Sequence, residues 1–195
     1  MRRTTMLAVS TLALALCTVC SAVGATTPPP DTLKVDYFYF DDSEAAVFYD
    51  TVRVINPGTA GGSLCAAIYV FDSYQELSEC CSCLISPDGL LTLSTAFSLD
   101  DNPLTGSSPL TGVIKTVSTA TKGGVCPTYP VSLTPTAGLR GWSTHVQSDG
   151  ITETETTSQD ATLSAAEVTR LQNECHAIQL DGSGHGLCYC GDEVP

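Results

Sequence analysis

The chain has 195 residues, 8 Lys/Arg against 21 Asp/Glu for a formal charge of −13, and ten cysteines. That excess of negative charge excludes the cationic footprint needed to hold nucleic acid or an anionic membrane, and suits a solvated exported protein. The length allows one domain with a genuine core and is too short for two.

Arg2-Arg3, an apolar run from Met6 to Leu16 and the small residues Ser21-Ala22-Val23-Gly24-Ala25 predict a signal peptide over residues 1–25, cut after Ala25 or after Ala22. The run is shorter than the roughly 20 residues that span a bilayer. Cys17 and Cys20 follow Leu16 and Val19, side chains too large for the residue before a lipidated cysteine. Losing this leader removes Arg2 and Arg3, which takes the formal charge from −13 to −15. It also leaves eight cysteines: Cys65, Cys80, Cys81, Cys83, Cys126, Cys175, Cys188 and Cys190. An even number in an exported chain predicts four structural disulfides, with about 105 pairings open.

Residues 26–32 form a Pro/Thr-rich spacer around Pro28-Pro29-Pro30. From Leu33 onward one domain is expected. Leu33 to Phe40 alternates and turns aromatic, a first strand. Ala46 to Ile55 reads as a second, ended by Asn56-Pro57-Gly58. Leu64 to Phe71 is apolar throughout, as for a strand covered on both faces or in the middle of a sandwich. Gln75 to Ile85 carries Cys80-Cys81-Ser82-Cys83 and stops at Pro87-Asp88-Gly89. If that segment is extended, Cys81 and Cys83 share a face and Cys80 points the other way. Adjacent cysteines on opposite faces do not bridge each other, and at least one of the three is expected to reach Cys175, Cys188 or Cys190.

Leu90 to Phe97 and Val113 to Thr119 are further strand candidates, and residues 127–138 read as a loop. Leu139 to Gln147 and Ile151 to Thr157 predict a hairpin across Ser148-Asp149-Gly150, with Glu153 and Glu155 on a solvent face. The period then changes. Ser164 and Glu167 make a capping box inside a Leu163–Val168 staple, and Val168, Leu171, Cys175 and Ile178 form one stripe of a helix over about 164–179.

Thiolate and imidazole ligands offer a metal or redox alternative at Cys175, His176, His185, Cys188 and Cys190, although no C-x-x-C pair is present. Calcium has oxygen-rich candidates in Asp41-Asp42-Glu44 and Asp100-Asp101-Asn102, neither with EF-hand spacing. Hydrolysis has no Gly-x-Ser-x-Gly elbow and no His-Glu-x-x-His motif, so His145 reads as a strand-end side chain and an enzyme is disfavoured. Trp142 beside it is a candidate lining residue for a carbohydrate or peptide site.

The runs Val54-Ile55-Asn56-Pro57-Gly58, Leu64 to Asp72, Cys80-Cys81-Ser82-Cys83, Pro87-Asp88-Gly89-Leu90, Asn102-Pro103-Leu104-Thr105-Gly106 and Leu163-Ser164-Ala165-Ala166-Glu167 extend over nearly the whole mature chain. Through them the chain resembles a group of uncharacterised exported bacterial proteins of acidobacterial type. The resemblance implies export and a coherent cysteine pattern, and carries no catalytic residue. The expected architecture is mainly β: an immunoglobulin-like sandwich of about seven strands, a C-terminal helix and a disulfide-stapled Cys-x-Cys tail. The expected function is a non-enzymatic extracellular or periplasmic module with a structural or binding role toward a protein or glycan partner.

Overall fold

The computed structural model describes residues 31–41, 48–99, 109–146, 153–181, 183 and 185–191. The predicted leader, most of the Pro/Thr spacer, Asp42, Glu44, the Asp100-Asp101-Asn102 turn and the Ser148-Asp149-Gly150 turn lie outside the described residues.

Strands β1 (Leu33–Asp41), β4 (Leu64–Asp72), β5 (Leu77–Ile85), β7 (Thr111–Ala120) and β10 (Gln159–Ala161) build a sheet in the order β10-β1-β7-β4-β5, with β2 (Phe48–Tyr49) pairing to the far end of β1. Strands β3 (Thr51–Ile55), β6 (Leu90–Ser94), β8 (Arg140–Val146) and β9 (Glu153–Thr157) form the second sheet, ordered β6-β3-β8-β9. Every pairing is antiparallel. Helix α1 (Ala165–Asp181) follows the last strand.

The apolar run of β4 is buried because it has a layer on each side. Ala66, Ile68 and Val70 face the second sheet with Phe38, Val52, Val54, Leu91, Leu93 and Ile114. Ala67, Tyr69 and Phe71 face the other way, where Leu163, Leu171, Cys175 and Ile178 of the helical segment cover them. Residues 127–138, expected as a loop, lie along the same outer face through Tyr129, Val131 and Leu133, and the Tyr69 hydroxyl donates to the Pro130 carbonyl at 3.0 Å. The result is three layers rather than two.

Three expectations need correction. The strand predicted from Ala46 to Ile55 is broken at Asp50, so that β2 joins the first sheet and β3 the second. Asp50 stands at the break, with its carboxylate accepting the Tyr39 and Val146 amides and its backbone carbonyl the Thr95 N–H at 2.9 Å. The strand predicted to Phe97 ends at Ser94, where Ser98 N–H folds back onto the Ser94 carbonyl at 2.9 Å. Strand β10 had no sequence signal: it is three residues long and polar, and becomes a strand only by pairing with Leu33–Val35. The chain crosses between sheets at Ser158, whose N–H donates to the Gly141 carbonyl at 3.0 Å. A Cβ at Gly141 would meet the Ser158 hydroxyl at 2.6 Å, so a side chain there requires that hydroxyl to swing aside.

Gly112 is the tightest point of the central sheet, opposite Phe38 on one side and Asp72 on the other. A Cβ there would sit 2.0 Å from the Phe71 carbonyl oxygen and 2.8 Å from the Phe38 ring. Gly112→Ala is expected to cost about 2–3 kcal/mol through overpacking, read as a lower urea midpoint at unchanged slope.

The helix begins as its sequence dictates. Ser164 Oγ accepts the Glu167 N–H at 3.1 Å, which satisfies one of the orphan first-turn donors. Glu167 also receives Lys115 Nζ at 2.7 Å and Arg170 at 2.8 Å, and Lys115 and Arg170 both sit over the Phe71 ring. The Arg170 guanidinium, then Lys115, hold the Glu167 carboxyl down at about 2, against some burial that acts upward. A carboxyl whose folded pKa is depressed stabilises fully above its unfolded value and loses that contribution as pH falls toward the folded one. The melting-temperature gap between the native chain and Glu167→Gln is therefore expected to close between about pH 4.5 and pH 2.

Candidate functional site

Strand β5 places its sulfurs on two faces, as its period requires. Cys80 lies in the outer cluster with the helix, and Cys81 and Cys83 lie in the inter-sheet core. Cys80 is bonded to Cys175, Cys81 to Cys188, Cys83 to Cys190, and Cys65 to Cys126, with Cα–Cα distances of 5.3–5.7 Å that suit a disulfide. Because β5 ends its sheet, the segment from Cys175 to Cys190 wraps round that edge, from the outer face to the inner one. On the way the Gly186 carbonyl accepts the Cys80 N–H at 3.0 Å, and beyond the edge the Tyr189 N–H donates to the Ser98 carbonyl at 3.3 Å. An edge strand that would otherwise template another chain is thereby covered.

The same wrapping separates the five residues weighed as metal or redox ligands. Cys175 and Cys188 lie on opposite faces of the sheet. His176 is exposed, with its ring on Gln179 at 3.3 Å, and the His185 N–H donates to Ser183 Oγ at 3.2 Å. Among the described residues, the Cys81, Cys83 and Cys190 sulfurs gather within 4.8 Å, and all three are in disulfides. A disulfide sulfur is not the thiolate that zinc or copper takes as ligand. Asp100 and Asp101 lie outside the described residues.

Chemistry that the sequence hid stands at the opposite edge, where β1 faces β8 and β9. Residues 36–39 of β1 have β7 on one side only, because the pairing with β10 ends at Val35 and the pairing with β2 begins at Phe40. Asp50 fills this gap. Its Oδ2 accepts the Tyr39 N–H at 2.9 Å and meets His145 Nδ1 at 2.8 Å, while Oδ1 accepts the Val146 N–H at 3.1 Å. His145 Nε2 then meets Thr156 Oγ1 at 3.0 Å. Asp50 is 3% exposed and His145 6%, and the half-exposed Tyr37 ring stacks on the imidazole at 4.3 Å. Ser143, next inward along β8, donates to Asp36 Oδ1 at 2.8 Å. Burial pushes the Asp36 carboxyl above its ordinary range, opposed by the Ser158 and Ser143 hydroxyls and the His145 ring.

Proton placement follows from these partners. A carboxylate oxygen accepts, so His145 Nδ1 carries the hydrogen of the contact to Asp50, and Nε2 faces the Thr156 hydroxyl. Carboxylate, imidazole and hydroxyl thus stand in one hydrogen-bonded row.

Beside this chain of groups lies a pocket of about 400 Å³ formed by Lys34, Arg140, Trp142, Glu155, Thr156 and Asp160, with neighbouring backbone. Its volume is that of a small-ligand site. Its charges balance: Lys34 pairs with Asp31 and Asp160, Arg140 with Asp31, and Glu155 with Arg53 at 3.9 Å. The half-buried Trp142 adds the one indole of the chain.

Strand alternation could have pointed here. It sets Gly141, Ser143 and His145 on one face of β8, a polar face where a core strand would carry aliphatic side chains. Asp50, 95 residues away in sequence, had no such signal. No protein-family model matches the chain, and no curated protein or solved structure matches it either.

Proposed function

We propose that the chain is an exported, disulfide-stapled module with a binding role, belonging to the group of exported bacterial proteins that it resembles. Two facing antiparallel sheets around a shared core support an immunoglobulin-like reading of the sandwich, to which the helix adds an outer layer. Four disulfides support an oxidising compartment, extracellular or periplasmic. Among the described residues no helix is long and apolar enough to cross a membrane.

The observation that carries the binding role is the pocket beside Trp142. An aromatic face next to donors and acceptors of balanced charge suits a hydroxyl-rich, uncharged ligand, so a glycan is favoured over a protein partner. Because Trp142 is the one tryptophan, its fluorescence reports the site alone. Titration with soluble neutral oligosaccharides is expected to give a saturable change for at least one, and Trp142→Ala should abolish retention on that glycan at an unchanged melting temperature. Retention that survives Trp142→Ala would contradict the assignment.

The second reading is an exported metal-binding or thiol-redox protein using Cys175, His176, His185, Cys188 and Cys190, and it requires free thiols. The disulfides of Cys175, Cys188 and Cys190 favour the first reading. A calcium role for the acidic turns is tested separately: a melting temperature that chelator leaves unchanged removes it.

A further inference from the structure

We propose that Asp50, His145 and Thr156 form a working nucleophilic relay, so that Thr156 is acylated by, and hydrolyses, small carboxylic esters that enter the adjoining pocket. This goes beyond binding.

Three observations carry it. Both relay hydrogen bonds are of normal length, 2.8 Å from Asp50 to His145 and 3.0 Å from His145 to Thr156. The base is held by groups that fix its orientation: backbone amides from Tyr39 and Val146 anchor the carboxylate, and the Tyr37 ring lies 4.3 Å from the imidazole at an interplanar angle of 7°. The relay ends beside a cavity, since Thr156 is only partly buried and is one of the residues lining the pocket with Lys34 and Arg140.

The chemistry balances as acyl transfer to water. Thr156 Oγ bonds to the ester carbonyl carbon while its proton passes to His145 Nε2 and the carbonyl π pair moves onto oxygen. Collapse of that adduct breaks the ester C–O bond, and the alcohol leaves with the proton from Nε2. Water repeats the sequence on the acyl-Thr156 ester, returns the threonine and releases the carboxylic acid. Throughout, Asp50 holds the Nδ1 hydrogen and faces the imidazolium that forms. Lys34 and Arg140 line the same pocket, Lys34 paired with Asp31 and Asp160 and Arg140 with Asp31.

The test uses the full mature protein with its disulfides intact and p-nitrophenyl acetate as probe. Expected is nitrophenolate release about a hundredfold or more faster than from Thr156→Val, with an acetyl group located on Thr156 by peptide mass spectrometry after acid quench. Thr156→Ser should restore release. Thr156→Val is close to isosteric in a strand, so its melting temperature serves as the folding control. Release equal in the native chain and a folded Thr156→Val, or a native chain that carries no acetyl on Thr156, would overturn the proposal. Glycan retention at Trp142 is scored separately, so the binding role can stand if the relay falls.

Discussion

Replacing Cys80 and Cys175 together by alanine is expected to lower the unfolding free energy by about 3 kcal/mol, less than their separation of 95 residues would imply. A cross-link closing about 100 residues restricts the unfolded chain by about 4.7 kcal/mol. Here the Cys81–Cys188 bond already joins the same two regions. With it in place, the ring that Cys80–Cys175 closes runs only through Cys81, Cys188 and back along the chain to Cys175. That ring holds about 15 residues, for which the closure term is about 3 kcal/mol. Cys83–Cys190 closes a smaller ring still, and its loss alone should cost about 2 kcal/mol by the same relation. Removing all three exposes the full closure and should cost about 10 kcal/mol, comparable with the whole stability of a domain. Urea unfolding of the single-pair and triple-pair variants checks this order. Equal costs for the two single pairs, or a triple cost near their simple sum, would contradict the shared-ring account.

The other large effect is expected at Asp50. Asp50→Ala strands the Tyr39 and Val146 amides and the His145 Nδ1–H, all in the buried gap at the β1 edge. Removing one partner of a buried, hydrogen-bonded charged group costs about 3–5 kcal/mol. In a domain of this size that corresponds to a melting temperature lower by roughly 10 °C or more. Asp50→Asn keeps the shape but turns one acceptor into a donor, so it should fall between the native chain and Asp50→Ala. A loss below about 1 kcal/mol in Asp50→Ala would mean that water replaces the carboxylate without strain.

What the sequence made legible was whatever depends on period and local chemistry. The unbroken apolar run of β4 foretold two covering layers. The Ser164 cap and the Leu171-Cys175-Ile178 stripe foretold the helix, and alternation along β5 foretold the divergence of Cys80 from Cys81 and Cys83. What stayed hidden depends on partners distant in the chain. Asp50 looks like one acidic residue in a strand until Tyr39, His145 and Val146 are brought round it. Gln159–Ala161 is a strand only because the edge of β1 is free at Leu33–Val35. His145 read as a strand-end side chain because neither Asp50 nor Thr156 stands at a spacing that any linear motif records. The cysteines and histidines from Cys175 to Cys190 were the opposite case: close in sequence, they offered one metal site, and the sheet sets Cys175 and Cys188 on opposite faces.

The most direct measurement is the disulfide map of the unreduced protein, by digestion and fragmentation that separates Cys80 from Cys81. The structure predicts Cys65–Cys126, Cys80–Cys175, Cys81–Cys188 and Cys83–Cys190, with no free thiol. Two or more reactive thiols, or a bond between Cys81 and Cys83, would contradict a C-terminal segment wrapped round the edge of β5.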